Sequence, residues 1–334
     1  MGHCNLRCLE CSHLSPYVPH EIYDLNDFIA DIKVLEQTLQ LQYFKFVGGE
    51  PTLNRQIVDF ILAVRQSQIA QKIIVSTNGV TLFNMSDEFF KALDILEISA
   101  YPGTLVGQKH IEFAKEKGAE FQKEILIHDK HIFRRTQTPY PHPSEQILQQ
   151  IYDSCAILQK NNVIHHGYYY KCSRPIFTNY YLQAKGIQGT YLPEKDGISI
   201  YQPHFRDRLI SYLQRGKPLA ACQYCLGTVG KSIEHRQMTK EELHAMPAHF
   251  YKISQIVYMN QMRKLARYQR WNRNLQRFGM IAFWKKLLWI FNKLCTGSYL
   301  FKFFLKRLKI CLNFAFQRLG SLILARKEKK WLIG

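Results

Sequence analysis

Through the first 140 positions the spacing of apolar residues keeps switching between a helical period and a strand-like one. In DLNDFIADIKVLEQTLQ (24–40), Phe28, Ile29, Ile32, Leu35 and Leu39 fall on one helical face, and Asp24 or Asn26 can cap its start. YFKFV (43–47) is a short β-prone run that ends in glycines, after which RQIVDFILAVRQ (55–66) returns to the helical spacing. KIIVS (72–76) predicts a strand stopping at Thr77-Asn78-Gly79, DILEISA (94–100) another stopping before Tyr101-Pro102-Gly103, and EFQKEILIH (120–128) a further one. Strands separated by helical stretches predict parallel βα units, whose loops gather at the carboxyl ends of the strands.

The polar and glycine-rich residues sit where that arrangement would place a ligand. Gly48-Gly49-Glu50-Pro51 follows the first strand, Ser76-Thr77-Asn78-Gly79 the second, and Ser99 with Tyr101 the third. Paired glycines let a backbone approach a ligand closely, and Glu50 offers a carboxylate to an ammonium group. A Gly-Gly pair also fits an ordinary turn, so each loop alone decides little.

The opening MGHCNLRCLECSH supplies a reason for those loops. It holds Cys4, Cys8 and Cys11, with no further cysteine before Cys155. A disulfide uses two thiols and a closed tetrahedral zinc site usually takes four ligands, so three thiolates point to a metal centre with one open position. A zinc site of Cys4, Cys8, Cys11 and His13 is the competing reading, and it explains neither GGEP nor STNG. The 334 residues suffice for more than one unit, and nine cysteines without a signal peptide fit a reducing, cytoplasmic setting rather than a secreted disulfide scaffold.

Taken in order, Cys4-x3-Cys8-x2-Cys11, GGEP, STNG and the EIS strand resemble the radical S-adenosylmethionine (radical SAM) enzymes. The resemblance implies that the three cysteines hold a 4Fe-4S cluster, whose open iron takes the amino and carboxylate groups of SAM. By motif position, Gly48, Gly49 and Glu50 would hold the SAM amino group, while Ser76, Asn78 and Ser99 would line its ribose or carboxylate. His13 and Tyr101 would lie near the mouth as candidate catalytic residues, though a structural hydrogen bond is the simpler account of either. The implied activity is reductive cleavage of SAM to a 5′-deoxyadenosyl radical that takes hydrogen from a substrate, with flavodoxin or ferredoxin as reductant. Two departures stand out: Glu10 occupies the position before the third cysteine where many relatives carry an aromatic residue, and only Met1, Gly2 and His3 precede Cys4 where a first strand is expected. CNLRCLECSHLSP with VGGEPTL, STNGVTLF and ISAYPGT also resembles a narrower group associated with surface polysaccharide genes, which implies a carbohydrate-related substrate.

Beyond the Pro-rich TPYPHPS (138–144) the pattern changes. YDSCAIL, GYYYKCSRP and ACQYCLG supply Cys155, Cys172, Cys222 and Cys225. Four thiolates ending in a Cys-x2-Cys pair can close a metal site, and the region resembles the SPASM or twitch extensions that carry an auxiliary 4Fe-4S cluster; zinc is the alternative. His165 and His166 read as turn or surface residues. From 251 onward there are 19 Lys and Arg against the single acid Glu328, a net +18 of the chain's +19. Trp284, Leu287, Leu288 and Phe291, then Phe301, Phe304, Leu305, Leu308, Leu312 and Ala315, mark apolar faces opposite lysines such as Lys302, Lys306 and Lys309. Such basic amphipathic helices suit an anionic membrane surface and a lipid-linked saccharide, and suit nucleic acid less well. Cys295 and Cys311 read as fillers of apolar faces. The expected architecture is α/β: a partial parallel (β/α) barrel over 1–140, a cysteine-rich auxiliary domain over 141–250, and a basic helical tail over 251–334. The alternatives from other classes are a catalytically silent iron-sulfur or zinc binding protein and an RNA-modifying enzyme that uses the tail.

Overall fold

The computed structural model describes residues 2–277 apart from 105, 160, 189–190 and 248–251, with backbone alone for 159 and 271–277. Four parallel strands form the central sheet in the order β1 (Leu41–Phe46), β2 (Ala70–Thr77), β3 (Ile95–Ala100), β4 (Glu124–Asp129). Helices α1 (Leu25–Glu36), α2 (Ile57–Ser67), α3 (Asp87–Ala92) and α4 (Gln108–Glu120) precede and connect them. This is the βα alternation of a partial barrel, and each loop named above falls at the carboxyl end of its strand.

Local chemistry sets these elements. Asp24, not Asn26, caps α1, its carboxylate accepting from the backbone N–H groups of Asn26 and Asp27. Phe28, Ile32 and Leu35 of α1 and Ile57, Phe60, Ile61 and Val64 of α2 bury one face of each helix in the same core as Ile73, Val75, Leu96 and Ile98 of the sheet. In β2 the consecutive residues Ile73, Ile74 and Val75 are all buried, as a strand covered on both faces requires, whereas β1 alternates and lies at the sheet edge among the described residues. The strand expected from residue 120 begins at Glu124 instead. Helix α4 extends through Glu120, and Gln122 turns the chain with φ +54° before the strand starts.

The remainder is irregular. A two-stranded ribbon pairs β5 (Ile132–Arg134) with β9 (Ser232–Glu234), and an antiparallel sheet joins β6 (Val163–His165), β7 (Tyr168–Tyr170) and β8 (Gly197–Ser199). The helices of this part are α5 (Glu145–Ser154), α6 (Arg174–Ala184), α7 (Phe205–Gln214), the short α8 (Lys240–His244) and α9 (Met259–Arg277). The described residues up to 270 make one compact unit. Within it, β9 returns to pair with β5 and ties the segment after 140 to the one before it. The tail residues singled out from Trp284 to Ala315, with Cys295 and Cys311, lie outside the described residues. Among the described residues no helix is long and apolar enough to cross a membrane.

Candidate iron-sulfur and cofactor site

The cysteine loop is fastened to the sheet by the loops that follow β1 and β2. Glu50 N–H donates to His3 O at 3.0 Å, which sets the GGE turn against the residue before Cys4. Gly48 has φ +143°, in the region that favours glycine, and a Cβ on Gly49 would lie 1.6 Å from His3 O, so both glycines are needed for this approach. From β2, Asn78 Nδ2 donates to Asn5 Oδ1 at 2.7 Å and to Cys4 Sγ at 3.5 Å. Asn78 therefore steadies Cys4, a contact its sequence position alone did not specify.

Glu50 has a task inside the protein. It is fully buried, and its carboxylate accepts from Thr52 N–H, Thr52 Oγ1, Thr77 Oγ1 and Asn78 N–H at 2.6–3.1 Å. Burial raises its pKa, and these four bonds work against that rise. The carboxylate brackets the loops after β1 and β2.

The other predicted residues spread around this centre. Ser76 Oγ donates to Glu97 Oε2 at 3.3 Å, and Lys45 forms an ion pair with the same carboxylate. Ser99 hydrogen-bonds Tyr101, whose ring stacks on His235 at 4.9 Å between centroids. His13 Nδ1 lies 3.4 Å from Ser12 Oγ; burial, then the nearby charges of Arg174 and Lys45, pull its pKa down to about 4 and keep it neutral. Glu10, with φ +57°, turns its carboxylate to Thr136 N–H at 2.9 Å, so this residue anchors the loop rather than presenting a flat face.

Three contacts at Cys8 come from far along the chain and carried no signal in the sequence. His235 Nε2 lies 3.2 Å from Cys8 Sγ, Gln237 Nε2 donates to the same sulfur at 3.3 Å, and the backbones of Cys8 and Gln237 form an antiparallel bridge. Burial pushes the Cys4 thiol up to about 12 and that of Cys8 to about 11. Bound cationic metal would be what draws off those protons.

A cavity of about 430 Å³ opens beside His13 and Ser76 and reaches Cys155, Cys172, Cys222 and Cys225, which all line it. The structure thus brings the four later cysteines together. Cys155 ends α5, Cys172 follows β7, and Cys222 and Cys225 lie on a turn tied down by Asp196, which accepts from Ala220 N–H and Ala221 N–H at 2.6 and 2.8 Å. His142 Nε2 lies 2.8 Å from Cys225 O. Arg174, buried beside Cys172, has its Nη1 on Gln137 while Nη2 has no hydrogen-bond partner. Burial lifts the Cys155 thiol to about 11 and raises those of Cys172 and Cys222 as well.

Among the described residues, the one group of three or more His, Cys, Asp or Glu whose ligand atoms all lie within 4.8 Å of one another is Glu21, His165 and His166. His166 Nε2 pairs with Glu21 Oε1 at 2.9 Å at the turn after β6, the surface setting expected of it.

Cysteine thiols held at the carboxyl mouth of a parallel βα sheet define an α/β protein built to carry an iron-sulfur centre. Residues 1–123 match the 4Fe-4S single cluster domain family, and the order of motifs in this N-terminal core resembles that of the radical SAM enzymes. The chain is 32% identical over 97 residues to a probable GTP 3′,8-cyclase of Pyrococcus abyssi, covering 29% of this chain and 31% of that protein. It is 30% identical over 95 residues to the GTP 3′,8-cyclase of Thermodesulfovibrio yellowstonii, covering 27% and 29%. The chain therefore spans under a third of the length of these relatives. The crystal structure of BtrN in complex with AdoMet and 2-DOIA aligns over 68% of this chain and 90% of that one, at 14% identity and a TM-score of 0.40, too loosely to bear on function.

Proposed function

We propose that the chain is a radical SAM enzyme in which Cys4, Cys8 and Cys11 hold a 4Fe-4S cluster and the loops after β1, β2 and β3 hold SAM. When bound, the cluster and SAM together supply a 5′-deoxyadenosyl radical that takes a hydrogen atom from the substrate. The observation that carries this reading is the direct bonding of the cysteine loop to both cofactor loops, through Glu50 N–H to His3 O and Asn78 Nδ2 to Cys4 and Asn5. The chain's own contribution is positional. Glu50 locks two loops together, Gly48 and Gly49 offer close backbone, and Asn78 fixes the first cysteine. Anaerobic reconstitution followed by dithionite and SAM tests it: 5′-deoxyadenosine is the expected product, and a colourless, iron-free protein is the result that removes the reading.

For the substrate we propose a carbohydrate-related molecule in the cavity beside His13. Its size lies in the ~300–1,000 Å³ range usual for small-molecule sites, and Ser12, Ser76, Asn161 and Asn162 line it with groups suited to hydroxyls. Cys155, Cys172, Cys222 and Cys225 are proposed to carry an auxiliary 4Fe-4S cluster on the far wall. Cys222→Ala with Cys225→Ala is then expected to lower iron from about eight to about four atoms per chain while the first site keeps its own. Unchanged iron content would remove the auxiliary cluster.

The +18 carried from residue 251 supports a further placement, at an anionic membrane face where a lipid-linked saccharide would be met. Co-sedimentation with phosphatidylserine vesicles should exceed that of a chain ending at 250 and should weaken with salt. Equal sedimentation of the two, or preference for RNA at matched salt, counts against it.

A further inference from the structure

We propose that His235 and Gln237 are positioning residues for the Cys8 thiolate and that their hydrogen bonds raise the reduction potential of the cluster it ligates. The inference rests on the radical SAM reading above, and it concerns residues that no motif marks.

Cys8 is 6% exposed, so the protein rather than water must solvate its charge. Two nitrogens meet the sulfur, His235 Nε2 at 3.2 Å and Gln237 Nε2 at 3.3 Å, closer than the contacts to Cys4 from Leu6 N–H at 3.4 Å and Asn78 Nδ2 at 3.5 Å. The positions of both side chains are fixed. Gln237 Oε1 accepts from Arg7 N–H at 2.6 Å, which assigns the amide so that its NH₂ faces Cys8. The His235 ring is held by Tyr101, stacked at 4.9 Å, and Phe133, edge-on at 4.8 Å. Its Nδ1 is buried without a partner, and Nε2, which also lies 3.4 Å from Gln237 Nε2, is the nitrogen that in its protonated tautomer would donate to the sulfur. The backbone beneath is pinned by Leu9 N–H to Arg236 O at 2.9 Å and Met238 N–H to Arg7 O at 2.7 Å.

Reduction adds one electron, supplied in the cell by a low-potential electron-transfer protein and in the test by dithionite. Donors on a ligating sulfur stabilise the more negative state more, and hydrogen bonds to sulfur are among the levers that set such potentials. Simple packing of His235 would leave the potential where it is.

The test is an EPR-monitored redox titration of the anaerobically reconstituted full chain, following the signal that changes when SAM is added. His235→Phe keeps the ring contacts and removes the donor, and Gln237→Met removes the other donor. Each is expected to lower the reduced-to-oxidised ratio about tenfold at fixed poise, a fall of about 59 mV for one electron. His235→Gln, which restores an amide donor of similar reach, is expected to recover most of that shift. Wild-type potentials in both donor-deleted variants, with iron retained, overturn the proposal. If His235→Phe fails to assemble the cluster, Gln237→Met decides alone. A shifted potential without 5′-deoxyadenosine would sink the enzyme reading and leave this one standing; absence of iron on Cys4, Cys8 and Cys11 in the parent chain would overturn both.

Discussion

Cys4→Ala, Cys8→Ala and Cys11→Ala should each bring 5′-deoxyadenosine formation below about 1% of the parent chain, and the triple variant should be no worse than any single one. Residues that act as one unit lose function together, so the effects do not add. Removing one thiolate would leave two, too few to hold the cluster that all three would ligate. Iron should fall by about four atoms per chain, with the complement of Cys155, Cys172, Cys222 and Cys225 retained. Chromatography of the nucleoside product and paired iron and sulfide assays read both quantities. A triple variant that still makes 5′-deoxyadenosine under reducing conditions would show that the cluster sits elsewhere.

Gly49→Ala is expected to cost about 100-fold in SAM cleavage while leaving the body of the protein folded. The added Cβ would fall 1.6 Å from His3 O and 2.2 Å from His3 C, both backbone atoms one residue before Cys4, so no side-chain rotation relieves the clash. The cysteine loop must then part from the β1 loop and lose the bond from Glu50 N–H to His3 O. Helices α1 and α2 and the sheet core do not touch this contact, so far-ultraviolet circular dichroism and the thermal midpoint should stay near those of the parent. Gly103→Ala is the contrasting control, since a Cβ added there would meet nothing within 4 Å, although its φ of +71° adds backbone strain. Parent-level turnover in Gly49→Ala would mean that the close approach of these loops is not required.

Much of the parallel sheet could be read along the chain because each of its units is local. Phe28, Ile32 and Leu35 declare α1 within a few residues of each other, and Ile73 to Val75 declare a doubly covered strand. The glycine pair and Asn78 were legible as turns at the carboxyl ends of strands, since turn chemistry is also local. Which partner each of them holds was not. Glu50 looked like a ligand for an ammonium group, and its carboxylate is instead filled by Thr52, Thr77 and Asn78. Glu10 looked like a missing aromatic and proves to be a tether to Thr136, 126 positions away. KSIEHRQM carried no periodicity and no motif, so nothing short of the fold could have brought His235 and Gln237 to Cys8. Side chains that act across such separations obey the geometry of the assembled chain and leave no imprint on their neighbours in sequence.

The return of residues 231–238 to the cysteine loop also orders events during synthesis. Cys8 leaves the ribosome 227 positions ahead of the side chain that meets its sulfur. At about 5–20 residues per second, that is a wait of roughly 10–45 s. During it the three thiols stand without the strand that encloses Cys8, open to oxidation and to whatever metal arrives first. Iron delivered early would meet an accessible loop; iron delivered late would meet a thiol already covered, and loading would then require the 231–238 segment to lift.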